Sequence, residues 1–211
     1  MDKEIQHHCD PCNTMSLTGK GQINVMPDMA VIQLGALTTG ENLKEVQSEN
    51  ALISQEILQA VKDLGVTDIK TAQYVIEKVY GYENDVRVEK GYSVRNIFEI
   101  KLSNIEQAGM VIDTAVEHGA NVVQLISFQV SNPEFFYQQA LNQAVMNAIS
   151  KAQSIAMHLR VPLNLVPVKI VENSSPPIPY AATYNMREIA ATPIEPGLHE
   201  IEASVTVEFI Y

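Results

Sequence analysis

The sequence predicts an α+β fold: a twisted, mostly antiparallel sheet with three helices packed on one side and a β-α-β-β theme used more than once. Three observations predict it. A unit of amphipathic helix, glycine break and strand is written twice, first from Asn42 through Leu64-Gly65-Val66 to Ile69, then from Ile105 through His118-Gly119-Ala120 to Val122. Residues 86–102 and 199–211 alternate between apolar and polar side chains, as strands with one buried and one wet face do. One wet face is normal for an antiparallel sheet and not for a parallel one. Third, Ala140, Ala144, Ala148, Ala152 and Ala156 recur at every fourth position, the mark of a long helix.

The elements run in chain order. Residues 1–14 form a polar arm, and 15–211 form one domain, with sub-structures near 15–102 and 103–211 able to share one sheet. Strands over Met15–Val25 and Met29–Thr38 flank Pro27-Asp28 and read as a hairpin, because proline fixes its own φ and supplies no amide donor. The first helix starts near Glu41. Leu43, Val46, Asn50, Ile53, Ile57, Val61 and Leu64 form its apolar stripe, and Gly65 ends it. Ile69–Tyr82 and Val86–Leu102 pair across a turn at Glu83-Asn84-Asp85. The second helix spans Ile105–Glu117, with Ser103 or Asn104 as its cap, and a strand over Asn121–Val130 comes next. Pro133 opens the third helix, which runs to about Leu159. Its alanine spine suits close packing on a sheet, with a helix–helix contact between subunits as the alternative. Strands at Leu165–Glu172 and His199–Tyr211 bracket a long irregular segment with Pro176, Pro177, Pro179, Pro193 and Pro196. Such long segments are functional, partner-bound or mobile.

Composition narrows the function classes. Hydrophobic residues make up 46% and charged residues 18%, a globular balance rather than a disordered one. A net charge of −11 with scattered Lys and Arg disfavours nucleic acid and anionic membrane surfaces. No apolar run reaches the roughly 18 residues of a membrane span. The polar stretch Met1–Cys12 holds no secretory signal, so a cytoplasmic location is expected, with export as the alternative if a leader was removed.

The only metal-ligand chemistry is His7-His8-Cys9-Asp10-Pro11-Cys12. A C-x-x-C pair with a neighbouring His can hold zinc or act as a redox dithiol, but no second C-x-x-C exists to complete a structural site. Exposed thiols on an arm are the plain reading. Gly19-Lys20-Gly21 lacks the frame of a phosphate loop, and its glycines predict a bulge or bend in a strand. His118 and His158 sit at helix C-termini, where the dipole favours a cation. Glu200 and Glu202 lie on a wet strand face. Tyr74, Tyr80, Tyr82 and Tyr92 suit sheet packing, whereas Tyr180 and Tyr184 in the proline-rich segment suit contact with a subunit or partner. No nucleophile elbow or zinc-protease pattern is present. No catalytic, cofactor-binding or metal-ligating residue is assigned.

Leu17-Thr18-Gly19-Lys20-Gly21 through Pro27-Asp28-Met29-Ala30, Gly91-Tyr92-Ser93-Val94-Arg95-Asn96, Gly119-Ala120-Asn121 and Ile126-Ser127-Phe128 occur in this order. With the alanine-spaced helix and Pro193-Ile194-Glu195-Pro196-Gly197 to Ala203-Ser204-Val205-Thr206-Val207, the chain resembles the SIMPL domain family over residues 15–211. The resemblance implies bacterial proteins that are mostly exported, some linked to oxidative-stress defence, with homo-oligomeric assembly and no established catalytic residues. The function expected is a non-enzymatic, self-assembling binding or structural protein without cofactor, with a protein partner as a further expectation. A metal- or thiol-dependent stress module using Cys9 and Cys12 is the alternative.

Overall fold

The structure is a computed structural model that describes residues 13–175 and 197–211. Among the described residues ten elements run in order: β1 (Thr14–Val25), β2 (Met29–Gly40), α1 (Leu43–Asp63), β3 (Ile69–Glu83), β4 (Val86–Leu102), α2 (Gln107–Glu117), β5 (Val122–Gln129), α3 (Pro133–Leu159), β6 (Lys169–Glu172) and β7 (His199–Ile210). The class is α+β, and every strand pairing among the described residues is antiparallel. The strands divide into two sheets, ordered β1-β7-β6 and β3-β4-β2-β5. Two compact units match this division. Among the described residues one holds 13–25, 132–175 and 198–211; the other holds 26–131 and 197.

The expected hairpin of β1 with β2 does not form. β1 pairs along its whole length with β7, from Thr14 opposite Ile210 to Val25 opposite His199, while β2 lies between β4 and β5. Pro27 and Asp28 interrupt the chain as expected, but there the chain changes sheet instead of turning back on itself. The Asp28 carboxylate accepts hydrogen bonds from the Ser131 amide (2.7 Å) and hydroxyl (2.6 Å), and the Asp28 amide donates to the Gln129 carbonyl (3.1 Å). That clasp ties the entry to β2 to the exit from β5, its true neighbour.

The larger unit is built from the duplicated helix–glycine–strand pattern. β2-α1-β3 and β4-α2-β5 interleave, so that β4 lies between β2 and β3, and β2 between β4 and β5. This is the split β-α-β arrangement of ferredoxin-like folds. Asn42 caps α1, its side chain accepting from the Lys44 amide (3.0 Å). Gly65 and Gly119 come after the two helices at φ +84° and +96°, a region glycine enters without strain. Ile32, Leu34, Ile57, Ile100, Val111 and Phe128 are almost fully buried between the helices and the sheet. Each such burial contributes about 1.5–3 kcal/mol. Asn50, in the apolar stripe of α1, is completely buried. Its amide donates to the carbonyls of Ala36 (3.2 Å) and Val94 (3.0 Å), and its oxygen accepts from Ser54 (3.3 Å). A polar side chain here therefore fixes α1 to two strands at once.

In the smaller unit α3 lies on β1 and β7, and the alanine spine faces that sheet. Gly19 and Gly21 mark neither a bulge nor a bend, because the β1–β7 register is continuous. They leave room for a helix backbone. A Cβ on Gly19 would sit 1.9 Å from the Ala144 carbonyl oxygen, and one on Gly21 would sit 2.0 Å from that of Ala140. A neighbouring helical row closes the open edge of β1. The Lys20 amide donates to Asn147 Oδ1 (3.2 Å), the Gln22 amide donates to Gln143 Oε1 (3.3 Å), and Lys151 Nζ donates to the Thr18 carbonyl (2.8 Å). Four helical residues rise about 6.0 Å and two strand residues about 6.6 Å, so a four-residue repeat matches a two-residue one. Beyond α3, strand β6 is shorter than expected and covers only Lys169–Glu172.

Candidate interaction surface

The pairing of β3 with β4 extends well beyond the sheet that carries it. β2 meets β4 from Leu102 opposite Ala30 only as far as Tyr92 opposite Gly40. β3 tracks β4 much further, to Glu83 opposite Val86. Residues 79–91 are therefore a two-stranded ribbon, closed by a two-residue turn. Asn84 and Asp85 both adopt positive φ, +48° and +63°, as a hairpin turn matched to strand twist requires. The alternating pattern of β4 produces a buried face only from Val94 onward, where α1 packs on it. The opposite face was expected to be wet. Arg95, Glu99 and Lys101 on it are half-buried instead, and Glu99 accepts from Gln33 (3.1 Å) and pairs with Lys70 (2.9 Å).

The hairpin tyrosines are not packed into the sheet as expected. Tyr74, Tyr80 and Tyr82 are 49%, 44% and 76% exposed, and Ile76 and Val86 are exposed beside them. Only Tyr92 is half-buried. The Tyr74 hydroxyl accepts from Gln47 of α1 (3.2 Å), and the Arg87 guanidinium stacks 3.7 Å over the Tyr80 ring. β3 is an edge strand of 15 residues, and among the described residues no strand or side chain hydrogen-bonds along its outer backbone. Lysines on an edge ordinarily discourage pairing with another chain. Here each is compensated. Lys70 pairs with Glu99, Lys78 with Glu89 (2.8 Å), and Lys90 with Glu83. The hydrogen bond and then the charge of the partner carboxylate hold the Lys70 and Lys78 ammonium groups above their ordinary pKa. The hydrogen bond from Lys70 holds Glu99 below its own. Residues 69–102 carry four Lys and two Arg against four Glu and one Asp, a net charge of +1 within a chain of −11.

Among the described residues the other candidate groups do not converge on a reaction centre. A cavity of about 360 Å³ in the smaller unit is lined by Lys20, Gln22, Glu202, Ser174 and Ser204 with Gly21 and Ala203. Its polar contacts are structural: the Ser204 amide donates to Ser174 Oγ (3.0 Å), and the Tyr137 hydroxyl bonds Ser174 Oγ (2.9 Å) and Glu172. The buried position of Tyr137, then its bond to Glu172, raises the phenol's pKa. Glu200 and Glu202 are exposed, and their mutual hydrogen bond raises the Glu200 carboxyl. His118 and His158 each place Nδ1 2.8 Å from the carbonyl four residues earlier, those of Thr114 and Ser154, which accounts for both locally. Among the described residues no three His, Cys, Asp or Glu side chains are grouped to hold a metal ion. His7, His8, Cys9 and Cys12 lie outside the described residues, as do Tyr180 and Tyr184. Among the described residues no helix is long and apolar enough to cross a membrane.

A sequence model of the SIMPL family, described as a protein of unknown function (DUF541), matches residues 15–209. This chain belongs to the SIMPL family. It is 30% identical over 209 residues to the 26 kDa periplasmic immunogenic protein of Brucella melitensis, covering 92% of this chain and 83% of that one. It is also 23% identical over 144 residues to the uncharacterized protein YggE of Escherichia coli, covering 66% of this chain and 57% of that one. The Edwardsiella ictaluri YggE is 24% identical over 152 residues, 71% of this chain and 64% of its own. The cytoplasmic location expected from the polar first residues is corrected by these SIMPL relatives, because the Brucella proteins are periplasmic.

Proposed function

We propose that this SIMPL protein is a non-enzymatic, exported protein that assembles with copies of itself through the outer edge of β3 and the adjoining ribbon. One observation carries the reading: a 15-residue edge strand bears exposed Tyr74, Ile76, Tyr80 and Tyr82 and compensated charges. Such an edge presents unpaired backbone donors and acceptors, a template for a further strand. The near-neutral hairpin lets copies of an acidic chain approach there without the repulsion of its other surfaces. Export is supported by the periplasmic Brucella relatives. The non-enzymatic reading is supported by relatives whose names carry no reaction.

Light scattering over a wide concentration range tests assembly. A dimer or larger species is expected, and a monomer throughout would overturn the proposal. Cell fractionation tests export: protein recovered only with the spheroplasts would reject it.

A further inference from the structure

We infer that the occupant of the β3 edge is the β3 strand of a second copy, laid antiparallel about a two-fold axis at Ile76. This rests on the assembly reading above and adds to it the partner strand and its register. The β3–β4 ladder shifts register between Thr71 and Gln73 and again between Val79 and Tyr80. Bulges bend a strand and increase its twist. The regular stretch that a new strand can track is therefore Gln73–Val79, with Ile76 at its midpoint.

A two-fold contact places residue i against j and j against i. The axis stands perpendicular to the sheet, so facing residues lie on the same side of it. One residue must then sit opposite its own copy, and each choice of that residue can be weighed. Centring on Tyr74 sets Lys70 against Lys78. Centring on Glu77 or Lys78 sets a charge against itself. Like charges directly opposite are destabilising. Gln73, Val75 and Val79 avoid this but run the second strand into a bulge before the regular stretch is used. Ile76 uses all of it. Ile76 then meets Ile76, Tyr74 meets Lys78 on both sides, Val75 meets Glu77, and Gln73 meets Val79. Cross-strand aliphatic and aromatic–cation pairs of this kind favour association. The same pairing covers Tyr74 and Ile76, which are 49% and 41% exposed in the single chain.

Single cysteines at positions 75, 76 and 77 test the register in a Cys9→Ser, Cys12→Ser background. Facing residues in antiparallel strands lie about 4.5–5.5 Å apart at Cα, inside the roughly 4.4–6.8 Å that a disulfide spans. Mild oxidation of folded Ile76→Cys is expected to give a covalent dimer as its main product. Val75→Cys and Glu77→Cys alone should stay uncrosslinked, whereas an equimolar mixture of the two should crosslink. Circular dichroism checks that each variant is folded, and light scattering on the parent is read in parallel. A dimeric parent with no link at Ile76→Cys, or with Val75→Cys linking to itself, would overturn this register and leave the assembly reading standing. A monomeric parent would overturn both and leave the edge to a strand from another protein.

Discussion

β1 and β3 are both edge strands, and the chain treats them in opposite ways. The edge of β1 is closed from within, because Gln143, Asn147 and Lys151 of α3 bond the Gln22 amide, the Lys20 amide and the Thr18 carbonyl. Closing it requires the helix backbone to come very near the strand, which is why Gly19 and Gly21 face alanines. The edge of β3 is longer, meets no such row among the described residues, and carries tyrosines where a closed edge would carry nothing to attract a partner. A protein that spends a helix on one edge has the means to protect edges. The contrast supports the proposal that β3 is a surface for pairing.

The largest effect should come from disturbing the closed edge. Gly19→Ala puts a methyl group 1.9 Å from the Ala144 carbonyl oxygen, and a helix backbone cannot move aside as a side chain can. A loss of about 3 kcal/mol or more is expected in urea unfolding, beyond the ordinary cost of overpacking. Wild-type stability in this variant would show that α3 does not press on β1. Asn50→Ala should come next. It removes a side chain bonded to the carbonyls of Ala36 and Val94, and leaves buried groups unpaired at a cost of about 2 kcal/mol. Because its partners Ala36 and Val94 lie outside the 79–91 ribbon, the ribbon should remain formed while the global midpoint falls.

Asn147→Ala sharpens the comparison more gently. It frees the Lys20 amide and should cost about 1 kcal/mol, while exposing part of a second edge. Dimers should then give way in part to larger species, which sedimentation velocity would detect. Asp28 tests the clasp that sends β1 and β2 into different sheets. The Ser131 hydroxyl, donating to its carboxylate, holds the Asp28 pKa below the ordinary value, against a smaller desolvation effect that raises it. A lowered folded pKa means that the stabilisation is full above about pH 4 and is lost as pH falls through the folded value. The group is exposed, so the effect is small. Asp28→Asn should lower stability slightly above about pH 4 and leave it nearly unchanged in acid, flattening part of the acid limb of the stability curve. Smallest of all in stability is Ile76→Lys, expected within about 0.5 kcal/mol because the side chain is exposed, yet expected to abolish dimers in light scattering.

Local patterns in the sequence were legible and long-range ones were not. Asn84-Asp85 announced the hairpin turn, the twice-written glycine breaks announced α1 and α2, and the alanine spine announced a helix lying on a sheet. Pro27-Asp28 fits a hairpin turn equally well. What separates β1 from β2 is the distant pairing with β7 and the bond to Ser131, 103 residues away. Gly19 and Gly21 look like a bulge until the helix is in place; Lys20 and Asn147 are 127 residues apart. One signal was available. The polar row Gln143, Asn147, Lys151 repeats in step with the alanines, and a four-residue helical repeat beside a strand with alternate glycines fits an edge closure. The exposure of the ribbon tyrosines was hidden because alternation reports which side of a strand a residue occupies, and not whether a helix reaches that far along it.

Amide hydrogen exchange resolved by residue, at low and high protein concentration, tests the contrast between the two edges most directly. The Lys20 and Gln22 amides should be protected equally at both concentrations, because α3 of the same chain holds them. The outward amides of Gln73–Val79 should exchange quickly when dilute and slow markedly when concentrated. Exchange in β3 that does not change with concentration would contradict the account.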